Sequence, residues 1–194
     1  MRYASIAIGL FVVSLGLSAA SADTIHTFSP SPRDLYDLDH SRYYTWGIDR
    51  TWEANDVVVG ATLTFYNIRN WDDNPNVLYV NLLDYAPLGV RSYWDGEDPN
   101  NAFEGQGAEL VTYVDLPSTS QTLTHQFTPA QLVAMNEYDD GGRFALAFDP
   151  DCHFYNCGVS LEVITASTPV PEPSSLALIA IGAGGLILRR FRRR

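Results

Sequence analysis

Oxygen donors crowd three short stretches of this chain. The first is Trp71-Asp72-Asp73-Asn74-Pro75-Asn76. The second is Asp95-Gly96-Glu97-Asp98-Pro99-Asn100-Asn101, continuing to Glu104. The third is Asp149-Pro150-Asp151-Cys152-His153, followed by Asn156. A hard cation such as Ca²⁺ takes about six to eight oxygens from carboxylates, amides and backbone carbonyls. Asp95, Glu97, Asp98, Asp149 and Asp151 are the expected ligands. None of the stretches has the regularly spaced Asp-x-Asp-x-Asp-Gly of a dedicated calcium loop. Asp, Asn, Gly and Pro are also the ordinary residues of turns, so turn chemistry stands beside calcium as a reading of each stretch.

Catalytic chemistry is harder to find. No Gly-x-Ser-x-Gly, His-Glu-x-x-His or phosphate-cradling glycine loop occurs. Carboxylate pairs for glycoside hydrolysis must face each other across a cleft, and a chain this rich in acids yields candidate pairs by chance. The sequence therefore reads as a non-enzyme. Trp71 and Trp94 adjoin the acidic stretches and are the expected exposed faces for stacking on a ligand ring. Tyr43, Tyr44, Trp46 and Trp52 are expected mainly in the core.

The elements that position these residues read as strands. Apolar residues alternate through Val57–Ile68, Val77–Tyr85, Leu110–Leu116, Leu123–Phe127, Phe144–Phe148 and Val159–Val163, with Gly, Pro, Asn and Asp in the gaps. Tyr43–Trp52 is aromatic and β-branched enough to be another strand. One helix is expected near Thr128–Tyr138. Thr128 supplies an N-cap, Pro129 the first helical position and Gln131 the partner of a capping box. The fold class is all-β, an antiparallel β-sandwich of jelly-roll type with one short helix. Leu63, Phe65, Leu82, Val114, Phe127, Phe144, Leu146 and Leu161 are expected to be buried.

Both ends carry addresses rather than fold. Met1-Arg2, an apolar run from Tyr3 to Leu17 and the small-x-small Ala20-Ser21-Ala22 describe a signal peptide over 1–22. At the far end, Val170-Pro171-Glu172-Pro173-Ser174-Ser175 precedes an apolar Leu176–Leu188 and then Arg189-Arg190-Phe191-Arg192-Arg193-Arg194. The prolines hold the chain extended. The apolar run is a short transmembrane helix, whose arginines favour a cytoplasmic end. Between them, 23–168 is one domain. It holds six arginines, no lysine and 22 of the 23 acids, a balance of −16. Such a surface repels nucleic acid and anionic headgroups.

The tail resembles the PEP-CTERM sorting signal of exported bacterial proteins, through the Pro171-Glu172-Pro173 triplet, the short apolar helix and the arginine-rich end. The resemblance implies an exosortase-type processing enzyme as partner, transient anchoring in the membrane, and a final place outside the cell or on its surface. The stretches Asp149-Pro150-Asp151-Cys152-His153, Asn67-Ile68-Arg69-Asn70-Trp71 and Asn81-Leu82-Leu83-Asp84 resemble segments of β-sandwich proteins that carry this tail.

Cys152 and Cys157 are the only cysteines, with four residues between them, in a chain addressed to an oxidising compartment. A disulfide between them is expected. A metal site using Cys152, His153 and Cys157 with a ligand from elsewhere is the alternative, with His26, His40 and His125 the other histidines. Two functions remain open: a binding module for carbohydrate, engaging exopolysaccharide with calcium, and a structural protein of the extracellular matrix with no small ligand; a glycan-active enzyme stands behind both.

Overall fold

The computed structural model describes residues 23–96 and 99–167. They fall within one compact unit, Ala22–Thr168. The expected signal peptide, the sorting triplet Pro171-Glu172-Pro173 and the expected transmembrane helix lie outside the described residues. No helix among those described is long and apolar enough to cross a membrane.

Ten strands form two antiparallel sheets. They are β1 (Asp23–Phe28), β2 (Arg42–Asp49), β3 (Asp56–Asn70), β4 (Val77–Leu83), β5 (Gly89–Trp94), β6 (Ala108–Val114), β7 (Gln121–Gln126), β8 (Arg143–Pro150), β9 (Phe154–Tyr155) and β10 (Val159–Ser167). One sheet runs β1-β10-β3-β7 with β9 paired to β3; the other runs β5-β2-β8-β4-β6. With β5 and β9 set aside, each sheet alternates strands from the two ends of the domain, the wound order of a jelly roll. One apolar layer joins the two inner faces. Leu63, Phe65, Leu161 and Val163 come from the first sheet, Leu78, Leu82, Phe144, Leu146 and Phe148 from the second. Phe65 meets Phe148 edge to face at 5.7 Å.

Helix α1 (Pro129–Tyr138) is where the sequence places it. Its N-cap Thr128 and Gln131 form the reciprocal capping box. Gln131 also donates to the carbonyls of Glu109 and Leu110, tying the helix start to β6.

Of the eight residues expected to be buried, seven are, and Val114 is 60% exposed. Tyr113 takes the inward place on β6 and meets Phe65 edge to face. The cause is a register shift in the β4–β6 pairing between Val80 and Asn81, which moves alternate side chains to the opposite face. Val57 and Val59 are likewise exposed while Val58 and Ala61 are buried. Here Gly60 pairs with Ile164 but Val58 with Thr165, so β3 carries one extra residue, a bulge. A second irregularity follows Phe65, where Asn67 takes φ 51° and Ile68 regains the core.

Candidate functional site

The three acidic stretches gather at one end of the sandwich. Strand register fixes this: Trp94 of β5 is opposite Arg42 at the start of β2, and Pro150 at the end of β8 is opposite Leu78 near the start of β4. The β3–β4 and β8–β10 connections leave from the same end. Neighbours in sequence nevertheless meet very different surroundings there.

The centre of the site is Asp149. Alternation along β8 sends Phe144, Leu146 and Phe148 into the core, so Ala145, Ala147 and Asp149 face outward. These three are nonetheless buried, because the connection from β5 to β6 crosses the outer face. Phe103 of that connection joins Leu83, Ala86, Ala145 and Ala147 in a second, smaller apolar cluster. Its ring meets Tyr43 edge to face at 5.2 Å. The two alanines leave the room that Phe103 fills. Gly107 returns the chain to β6 with φ +68°, at a point where a Cβ would lie 2.1 Å from the Leu82 carbonyl oxygen.

Polar contacts fasten the same connection over Asp149. Tyr79 Oη donates to the Pro99 carbonyl at 3.3 Å, and Asn101 Nδ2 to Asn81 Oδ1 at 3.2 Å. The Ala102 backbone N–H donates to Asp149 Oδ2 at 2.6 Å. Asp149 is left 2% exposed. Burial, against the Ala102 N–H, pushes its carboxyl up to about 7; a side-chain hydrogen bond to Asp95 and the charges of Asp95 and Asp151 push the same way. Burial also raises Asp151, whose Oδ1 accepts from the Val77 N–H. Tyr79 is raised by burial first and then by Asp151 and Asp149.

Two carboxyls in hydrogen-bonding contact must share a proton or a cation, since like charges that close repel. Asp95 and Asp149 are thus brought together, two of the five expected calcium ligands, while Asp151 accepts from the Val77 N–H; the three do not converge closely enough among the described residues to form a ready-made set around one ion. Glu97 and Asp98 lie outside the described residues. Asp95 and Asp149 are both carboxylates, hard oxygen donors of the kind that Ca²⁺ takes.

The first stretch behaves otherwise. Asp72 Oδ1 accepts from the Asn74 N–H at 3.0 Å and from Asn70 Nδ2 at 3.2 Å. Asp73 accepts from the Ser118 hydroxyl. Asn76 bridges to both the N–H and the carbonyl of Leu116, at 2.8 and 3.0 Å. Its donors and acceptors are matched within the turn and the neighbouring β6–β7 connection.

Trp71 and Trp94 are 58% and 69% exposed, whereas Trp46 and Trp52 are buried. Trp94 directly precedes Asp95, on an edge strand. Beside it Tyr43 and Tyr93 stack at 5.1 Å with their planes 24° apart, an outer-face aromatic pair that alternation alone does not single out.

Cys152 and Cys157 are free thiols, so the expected disulfide is not formed. The four residues between them do not make a hairpin that closes on itself. Phe154 and Tyr155 form β9 against Asn70 and Arg69, and Phe154 exchanges backbone bonds with Leu38 at 2.8 and 2.9 Å. Burial pushes the Cys152 thiol up. Cys157 is exposed, its N–H donating to the Tyr66 carbonyl. The alternative, a Cys152-His153-Cys157 metal set, does not assemble among the described residues either: His153 groups instead with Asp39 and His40.

The described part of the chain is thus a two-sheet β-domain with a carboxyl-rich site at one end. Residues 169–194 match the PEP-CTERM protein-sorting motif, which marks an exported protein sorted by an exosortase-type enzyme. No curated protein matches the chain. Among solved structures, the chain is similar to a latent aurone synthase (polyphenol oxidase) from natural source, at 9% identity and TM-score 0.41, over 68% of this chain and 26% of that one. It is similar to the K1 cleaved adhesin domain of Lys-gingipain from Porphyromonas gingivalis W83, at 12% identity and TM-score 0.29, over 66% and 63%. It is also similar to the CBM22-1-GH10 modules of the Clostridium thermocellum xylanase 10B, at 8% identity and TM-score 0.29, over 71% and 28%. The chain spans about a quarter of the polyphenol oxidase it matches. Likeness at these scores carries nothing about activity.

Proposed function

We propose that this is an exported, non-enzymatic binding module for carbohydrate of the exopolysaccharide matrix, with a calcium ion organising its binding end. The observation that carries the reading is the juxtaposition at the end of β5. Trp94, an exposed aromatic face, is followed at once by Asp95, which bonds to the buried Asp149. Calcium in place of the shared proton would neutralise the acids and stiffen the connection that carries Trp94. Sugar rings would then stack on Trp94 or Trp71, with hydroxyls reaching the ion or the acids.

The rival reading, a structural matrix protein without a small ligand, is served by the same tail and the same acidic surface. The exposure of two of the four tryptophans favours binding. A glycan array probed with the exported protein, with calcium and with chelator, separates the two. The binding reading expects polysaccharide capture that is lost in chelator and weakened about tenfold, ~1.4 kcal/mol, by Trp94→Ala. Absence of capture under both conditions leaves the matrix reading in its place.

A further inference from the structure

A second cluster of ligand-type side chains lies at the same end but belongs to different elements. Asp39 and His40 precede β2, and His153 follows β8. Each offers one metal-ligating atom, and these atoms lie within 4.8 Å of one another. Asp39 Oδ1 is 3.7 Å from His40 Nδ1, close to the ~3.4 Å edge of a tetrahedron with metal–ligand bonds of about 2.0–2.2 Å. Drawing the three atoms onto one ion takes movements of about 1 Å, within the reach of side-chain rotation.

The residues are held for this from outside the cluster. The Ser41 N–H donates to Asp39 Oδ1 at 2.9 Å, and the Asp39 N–H donates to Tyr44 Oη at 3.0 Å. That Ser41 bond holds the Asp39 carboxyl below its ordinary range despite burial, and His40 and His153 add to it when charged. The His153 carbonyl accepts from the Trp71 N–H at 3.0 Å, and its ring lies 4.6 Å from that of Tyr155.

An independent sign comes from His153 itself. Its Nε2 is shielded from solvent and has no hydrogen-bond partner among the described residues. A buried ring nitrogen left so costs free energy unless something is bound to it. Asp39 and His153 also line a groove of about 420 Å³ shared with Tyr36, Arg42, Tyr44 and Ser92. A metal at the cluster would therefore keep one coordination position open to the groove.

We propose that Asp39, His40 and His153 form a divalent transition-metal site, with Zn²⁺ the ion it fits best and an open position for an oxygen ligand from the groove. Two imidazoles and one carboxylate suit zinc and its neighbours, whereas calcium prefers oxygens alone. The site is distinct from the acids around Asp149, and it stands or falls without them.

The test titrates the full chain with Co²⁺, a coloured stand-in for Zn²⁺, in the presence of calcium. The expected result is one Co²⁺ per chain, with visible bands of four- or five-coordinate cobalt that Zn²⁺ displaces. His153→Ala and His40→Ala should each weaken binding at least about 100-fold, since direct ligands exceed the 10–100-fold effect of their supporting partners. Should His153→Ala fail to fold, His40→Ala decides, because that side chain is 41% exposed. Asp149→Asn should leave the bands in place. Absence of the bands, bands indifferent to both histidine variants, or bands abolished by Asp149→Asn would each overturn the proposal.

Discussion

The turn at residues 70–76 and the connection at residues 95–107 are both rich in acids and asparagine, yet the carboxylates they hold or cover meet different surroundings. In the first, every side-chain amide and carboxylate described above has a complementary partner nearby, from Asp72 with Asn74 to Asn76 with Leu116. In the second, the chain folds over the sheet and buries Asp149 against other acids. Composition in Asp and Asn is therefore no guide to a cation site. What separates the two regions is whether carboxylates are matched by donors or by each other, and this depends on what covers them.

That contrast is most easily broken by pH. A carboxyl raised from 3.8 to about 7 in the folded state favours its protonated form there. Its contribution to stability is full below the unfolded value near 3.8 and is lost as pH rises through about 7. At ~1.4 kcal/mol per unit over about three units, the loss is on the order of 4 kcal/mol. In chelator, thermal melts across this range should therefore fall as pH rises. Saturating calcium should flatten the trend, because the cation replaces the proton. A melting temperature that climbs with pH in chelator would contradict the pairing.

Asp149→Asn removes the charge at the buried position. The amide oxygen can still accept from Ala102 and the amide nitrogen can donate to Asp95, while one charge disappears. The variant should be more stable than the parent in chelator at pH 8, by about 2 kcal/mol or more, and should gain nothing from calcium. Denaturant midpoints with unchanged slopes would measure it. Asp72→Ala, in the self-matched turn, should cost about 1 kcal/mol whether or not calcium is present. A calcium-dependent cost there would erase the distinction between the regions.

The smallest expected effect is at the cysteines. Exposed Cys157 should be alkylated before Cys152, which is partly buried with its thiol pushed up. Mass spectrometry of the timed reaction reads the order; equal rates would mean that the β9 segment opens freely.

Much of this fold was legible in the sequence because β4, β8 and β10 keep one phase along their length. Leu78, Val80 and Leu82, or Phe144, Leu146 and Phe148, therefore read correctly as inward. Helix α1 was legible through the local chemistry of Thr128 and Gln131. Phase was lost where an extra residue enters a strand, as at Val59, or where the pairing shifts, as beside Val114. Neither event leaves a mark in the hydrophobic alternation. The meeting of Asp95 with Asp149 was expected from loop composition, but its cause was hidden. It depends on small residues at 145 and 147 accepting Phe103 from a distant connection. Asp39 carried no signal, and His40 stood only as one of three histidines that could complete a cysteine site, since only tertiary packing sets them beside His153.

Calorimetric titration of the exported protein with Ca²⁺ at pH 7.5, beside Asp149→Asn, decides whether a cation binds among the acids at Asp149. The parent should bind saturably, release about a quarter of a proton per ion, the share of a carboxyl near 7 still protonated at this pH, and melt at a higher temperature, with all three effects absent in the variant. No heat and no change in the melting curve of the parent would contradict it.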